Sequence, residues 1–345
     1  MSFLDFFNGL MQNPILILAL GLILVTIAMN GIMDAPNSIA TCVATRTLYV
    51  DYALIMSTVC NFLGVLAINL INTKVSFTIF NLVEFTPNND GIKMFLATLL
   101  GIIIWGMITW KMNIPMSSSH SLIAGLLGAS IATNKGFNAI NFKSFSMVLI
   151  GIVISILFTF FIAKIIVKII INIFKNKDRR DSRRFFDISQ IVSGGLMSFV
   201  HGIHDGQKFI ALIAILVSLM KFETIEEGMF SIWIFLICAI IMGIGTSIGI
   251  KRVVKSVGMN VVNLETYEGL SADLTSIISI LVATFFGIPI STTQTSSIAI
   301  IGVGSVKSKN NVNWSYAKYL TTTWFLTYPA CGLIAFIIAK IFMIF

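Results

Sequence analysis

The sequence predicts an all-α polytopic membrane protein built from two inverted-topology repeats with broken helices, and three observations lead there. Residues of the AVILMFWYC set make up 57% of the 345 positions, against about 45 to 50% in soluble proteins even when Gly is counted. Apolar stretches fill nearly the whole chain. Two unlike polar punctuations each occur once in either half, at nearly one offset.

A bilayer core about 30 Å thick is crossed by about 20 apolar residues in a helix. Pro14 to Met29, Ala53 to Ile71, Phe95 to Trp110, Met147 to Val167, Phe230 to Ile250 and Leu320 to Phe345 are stretches of this kind. No segment is left over for a soluble domain. The first basic residue is Arg46, so the amino-terminal apolar run lacks the positive flank of a signal peptide and reads as part of the mature protein. Pro14 to Leu48 and Ile188 to Met220 are too long for one straight crossing and marginal for two. Each reads as one broken crossing, giving five spans per half. The Pro115 and Pro289 regions are either two crossings apiece or re-entrant hairpins, with the same parity.

The organisation read from this is a first transmembrane repeat over 1–174, a basic cytoplasmic linker over 175–187 and a second repeat over 188–345. The linker holds Lys175, Lys177, Arg179, Arg180, Arg183 and Arg184 against Asp178 and Asp181. The formal net charge of +8 lies mostly in loops, where it records orientation rather than a nucleic-acid partner. With basic loops inside, Lys251, Arg252, Lys255, Lys307 and Lys309 are cytoplasmic; Asp5 and the Glu223, Glu226, Glu227 loop are outside. The Lys135 and Lys143 loop alone opposes this assignment. An odd number of crossings per half makes the repeats inverted. Cys42, Cys60, Cys238 and Cys331 lack metal or redox spacing and read as packing residues.

Asp34-Ala35-Pro36-Asn37 pairs with Asp205-Gly206-Gln207-Lys208 at an offset of 171, and the Pro115 to Ser119 motif pairs with Pro289 to Thr293 at 174. Two motifs at one offset near half the length argue for duplication. Asp34, Asn37, Ser38, Thr41 and Thr45 would share one face of a helix. A carboxylate at the bilayer centre costs about 2.5 to 3.5 kcal/mol on insertion scales, so it needs a partner. Gly31 and Pro36, and Gly202 and Gly206, suit unwound backbone at a helix break, where carbonyls meet cations and helix N-termini meet anions. The hydroxyl runs Ser117 to Ser119 and Ser291 to Thr293 would cap the following helix and donate to an oxyanion. His201 and His204 could share a face, but without a third ligand they point to the Asp205 site rather than to zinc.

These motifs resemble the PiT family of inorganic phosphate transporters, of bacterial type, over nearly the full chain. Gly31-Ile32-Met33-Asp34-Ala35-Pro36-Asn37 is similar to the family's G-x-N-D-x-x-N. His201 through Lys208 is similar to H-G-x-N-D-G-Q-K, and the segment from Val257-Gly258 through Gly287-Ile288-Pro289-Ile290-Ser291-Thr292-Thr293 to one ending in G-L-P-V-S-T-T-H. Met33, His204 and Gln294 depart from the family residues. The resemblance implies cation-coupled import of inorganic phosphate, with sodium or protons as the coupling ion and no cofactor, across a bacterial plasma membrane. Sulfate is the alternative substrate within the same fold. On this basis Ser117, Ser118, Ser119, Gln207, Lys208, Ser291, Thr292 and Thr293 are the substrate-binding candidates. Asp34, Asn37, Thr41 and Asp205 are the coupling-cation candidates, with sodium at Asp34 and Asn37. His120, His204 and Gln294 are accessory. An ion pair with Asp205 is the simpler reading of Lys208. The partners implied are the substrate anion and membrane lipid, and a homo-oligomer is compatible with them. An intramembrane hydrolase using Ser119, His120 and an Asp is the rival from another class. It is disfavoured because adjacent residues of a helix point apart and no nucleophile elbow is present.

Overall fold

The computed structural model describes residues 3–85, 88–112, 114, 116–133, 135–221, 230–249, 261–308 and 311–344. Pro115, Val257, Gly258, Phe345, the Glu223 to Glu227 loop, Lys251, Arg252, Lys255 and Lys309 lie outside them, and with them several of the charges used for orientation.

The described residues form helices α1 (Phe3–Met11), α2 (Pro14–Met33), α3 (Ala40–Ala44), α4 (Val50–Ile71), α5 (Lys74–Phe80), α6 (Asn89–Lys111), α7 (Ser118–Ile131) and α8 (Phe142–Phe174) in the first half. The second half adds α9 (Arg179–Lys221), α10 (Ile232–Ile248), α11 (Thr266–Phe286), α12 (Thr292–Lys307) and α13 (Trp314–Ile344). Seven helical segments among them are long and apolar enough to cross a membrane, α7 and α10 are shorter apolar helices, and the chain is an integral membrane protein. The basic 175–187 segment is a short turn followed by the opening of α9.

The first long crossing breaks where the sequence places the break. α2 ends at Met33, a 3-10 turn runs over Ala35–Ile39, and α3 follows. Pro36 near the start of that turn has no N–H to donate and forces the chain off the α path. The second crossing differs from the expectation, because α9 is one uninterrupted helix through Gly202 and Gly206. Gln207 stands where Pro36 stands in the first half, and without a proline nothing removes the backbone bond. The glycines serve close packing instead. A Cβ at Gly202 would run into the backbone of Asn61 on α4, and one at Gly31 into the backbone of Met242 and Thr246 on α10. Small residues of this kind let membrane helices approach closely.

The packing is symmetric under exchange of the halves. α2 lies against α10 and α6, as α9 lies against α4 and α11. α6 contacts α7 and α13, as α11 contacts α12 and α8, so the last helix of each half packs on the other half. Two isolated antiparallel bridges, Val83 with Ile140 and Val262 with Val312, repeat the relation in the loops. Apolar side chains point outward along α8, where Ile150, Val153, Ile154, Leu157, Phe161 and Ile165 are exposed at helical spacing, the face a lipid-contacting helix presents. α9 carries the most buried apolar stretch of the long helices, its residues from Val200 to Leu216 all lying inside the molecule.

Candidate functional site

Four elements converge at the centre: the α2 break, the middle of α9, and the N-termini of α7 and α12. Ser117 caps α7, its Oγ accepting from the backbone N–H of His120 at 3.3 Å. Ser291 caps α12 in the same way, accepting from Gln294 N–H at 3.2 Å. These are the caps the sequence predicts. The two cap hydroxyls also meet each other at 2.8 Å, so the positive ends of two helices face across a single hydrogen bond.

Around that contact the carboxylates are crossed between halves. Asp34 accepts from Ser118 N–H at 3.1 Å and from Thr293 Oγ1 at 3.0 Å. Asn37 Nδ2 donates to the same Thr293 hydroxyl at 2.9 Å. Asp205 Oδ1 is ion-paired with Lys208 Nζ at 2.5 Å, and that ammonium also donates to Ser119 Oγ at 2.5 Å and to the Ile290 carbonyl at 3.1 Å. The pairing of Lys208 with Asp205 anticipated from their spacing is therefore present. Asp34, Asp205 and Lys208 are all at most 1% exposed. A buried charge without a partner costs several kcal/mol; Lys208 supplies the partner for Asp205, and no Lys or Arg among the described residues is paired with Asp34.

Asn30, a residue the sequence reading passed over, joins the two carboxylates. Its Nδ2 lies 3.1 Å from Asp34 Oδ2, 3.0 Å from Asp205 Oδ2 and 2.8 Å from Ser118 Oγ. The amide orientation follows from these acceptors, since turning its oxygen toward two carboxylates would set acceptor against acceptor. The offset that pairs Asp34 with Asp205 also pairs Asn30 with His201, whose Nε2 is 3.4 Å from Asp205 Oδ2. That correspondence was the available signal for Asn30. His201 is held by Asn61 through Nδ1 at 2.7 Å.

Other candidates are placed elsewhere. Thr41 donates to Asp273 at 2.7 Å, in a second buried cluster completed by Gln190 at 2.7 Å and Ser193 at 2.8 Å. Ser38 bonds Ser198 at 2.7 Å, and the Thr45 hydroxyl donates to the Thr41 carbonyl one turn earlier at 2.8 Å. The single polar stripe expected from Asp34 to Thr45 is thus dispersed, because the 3-10 turn shifts the angular phase before α3 begins. Gln207 is anchored away from the carboxylates, its Oε1 accepting from Val75 N–H of α5 at 2.9 Å. His204 bridges Thr284 at 2.7 Å and the Ile290 carbonyl at 3.1 Å, so it and His201 reach separate partners. Thr292 and Gln294 are buried at the start of α12. His120 packs against Tyr328 in a tilted pair with ring centroids 4.9 Å apart. Ser119 donates to the Ile290 carbonyl at 2.9 Å, so the hydroxyl of the hydrolase reading is engaged across the halves and not with its neighbouring imidazole.

A cavity of about 10 Å³ touches the site, lined by Asn30, Met116, Ser118 and Lys208 among others. Such a volume holds about one water. The site leaves no room for a tetrahedral oxyanion, which enters only if the elements part.

A family model described as the phosphate transporter family matches residues 30–335. A Bacillus subtilis protein named "Probable low-affinity inorganic phosphate transporter" is 36% identical over 95% of this chain and 98% of its own length. A Rhizobium meliloti protein of the same name is 33% identical over 89% and 90%. A solved structure described as "The sodium-dependent phosphate transporter" superposes with a TM-score of 0.86 over 96% of this chain and 100% of that one, at 21% identity. The fold is shared with that structure.

Proposed function

The chain belongs to the phosphate transporter family, and from that premise we propose that it imports inorganic phosphate by symport with a cation, through alternating access at the buried site between its halves. The observation that carries this reading is the meeting of the Ser117 and Ser291 caps at 2.8 Å, flanked by two buried carboxylates and one buried ammonium. Helix N-termini attract anions through unsatisfied N–H groups and the helix dipole. Ser117 to Ser119 and Ser291 to Thr293 exchange their present partners within the protein for phosphate oxygens when the two helices separate. Lys208 adds positive charge to the anion's surroundings, and a coupling cation at Asp34 offsets the remaining carboxylate. Hydrogenphosphate can donate a hydrogen bond to a carboxylate and sulfate cannot, which favours phosphate at a site holding Asp34. The exchange-symmetric packing supports a two-fold relation between the halves; together with an odd number of crossings in each, it makes them inverted repeats that rock about the midplane.

The test is uptake of radiolabelled phosphate and, separately, sulfate into proteoliposomes, with sodium and proton gradients imposed one at a time. Phosphate is expected to accumulate above its external concentration under one of the gradients, with sulfate left behind. Equilibration without accumulation would mean a channel, and preferential sulfate uptake would overturn the substrate.

A further inference from the structure

The two halves handle positive charge differently. In the second half three oxygens close on one cationic centre: Asp205 Oδ1 at 2.5 Å, Ser119 Oγ at 2.5 Å and the Ile290 carbonyl at 3.1 Å, all around Lys208 Nζ. The offsets that relate the halves turn Asp205 into Asp34, Lys208 into Asn37, Ser119 into Thr293 and Ile290 into Met116. Two of the three equivalent oxygens meet in the first half, with no ammonium paired to them among the described residues, and the offset assigns the Met116 carbonyl as the third. Asp34 Oδ1 and Thr293 Oγ1 lie 3.0 Å apart there. Asn37 Oδ1 is buried beside them without a hydrogen-bond partner, although its Nδ2 is engaged. A buried amide oxygen left unpaired is rare and costly, and here it borders a buried carboxylate with no Lys or Arg paired to it among the described residues.

We infer that Lys208 is a tethered replacement for one coupling cation, and that a sodium-sized monovalent cation binds only in the first half, held by Asp34, Asn37, Thr293 and the Met116 carbonyl. An all-oxygen set with one carboxylate suits a hard monovalent ion, and so tight a space favours one that sheds its hydration readily. One bound sodium then accompanies each phosphate, where two identical halves would carry two. Lys208→Asn recreates in the second half the residue found in the first and opens a second site. The inference rests on the carrier reading above, but its cation count is measurable without transport.

Purified wild type, Lys208→Asn and Asp34→Asn are compared by equilibrium dialysis with radioactive sodium, folding being checked by gel filtration, and by the ratio of sodium to phosphate carried into proteoliposomes. The expected results are one bound sodium in wild type, two in Lys208→Asn and none in Asp34→Asn, with the flux ratio rising about twofold in Lys208→Asn. Two sodium ions or none in wild type, or an unchanged count in folded Lys208→Asn, overturns the inference. If wild type binds one sodium yet carries no phosphate, the carrier reading fails and the cation assignment stands.

Discussion

Asp34 and Asp205 hold equivalent places in the sequence and unequal ones in the electrostatics, so their isosteric substitutions are expected to diverge. Asp34→Asn removes a buried charge that no lysine neutralises, relieving a desolvation cost. Phosphate uptake should be abolished while the thermal unfolding temperature in detergent stays level or rises. Asp205→Asn strands the Lys208 ammonium at 1% exposure, and breaking a buried pair in this way costs about 3 to 5 kcal/mol. Its unfolding temperature should fall clearly, and adding Lys208→Met should restore stability without restoring uptake. Equal melting of the two single variants would contradict the charge assignment. Gln207 supplies a contrasting case. Its Oε1 satisfies Val75 N–H, so Gln207→Ala should lose about 1 to 3 kcal/mol of stability by leaving a buried donor unmade. The KM for phosphate should not change; a raised KM would return Gln207 to the binding site.

At the level of single elements, the sequence told one break from one non-break only where it carried a proline. Pro36 removes a donor and leaves a chemical mark, so the end of α2 was legible. Gly202 and Gly206 fit unwound backbone and close helix packing equally well, and only the position of α4 against α9 decides between them. Thr41 was assigned to Asp34 by α-helical spacing, which fails once a 3-10 turn intervenes. Asp273 drew no notice because its partners Thr41, Gln190 and Ser193 come from three separate stretches of chain, a constellation that no local spacing reveals. The cap hydroxyls, by contrast, were legible as local chemistry next to a proline. The packing role of the glycines has its own consequence. Gly202→Val should lower stability and the yield of folded protein, since its side chain meets the backbone of Asn61, whereas Gly21 has nothing within 4 Å of an added Cβ. Gly21→Ala should be neutral or stabilising by up to about 1 kcal/mol through helix propensity. Comparable losses at both positions, read by gel filtration and thermal unfolding, would mean that close approach is not what Gly202 provides.

For the molecule as a whole, the exchange-symmetric packing has its sequence counterpart in two motifs at matching offsets, and the interleaving of the last helices across the halves has none, because hydropathy says nothing about which span neighbours which. The inverted relation we propose predicts that cysteines placed singly at Asn8 and Ser182, in a background lacking the four native ones, differ in labelling by an impermeant thiol reagent on intact cells. Asn8 should label and Ser182 should be protected; labelling of both from outside would leave an even number of crossings in the first half and remove the inversion. The central claim is that phosphate passes between the N-termini of α7 and α12, which must separate to admit it. In the same cysteine-free background, Ser117→Cys and Ser291→Cys place two thiols where hydroxyls now meet at 2.8 Å, near enough for a disulfide about 2.05 Å long to form with small adjustment. Uptake of radiolabelled phosphate at saturating concentration is then measured in the reduced and oxidised forms of this double variant. The account predicts uptake by the reduced form, loss on oxidation and recovery on reduction; undiminished uptake by the fully cross-linked protein would show that the two helices never need to part and that phosphate crosses elsewhere.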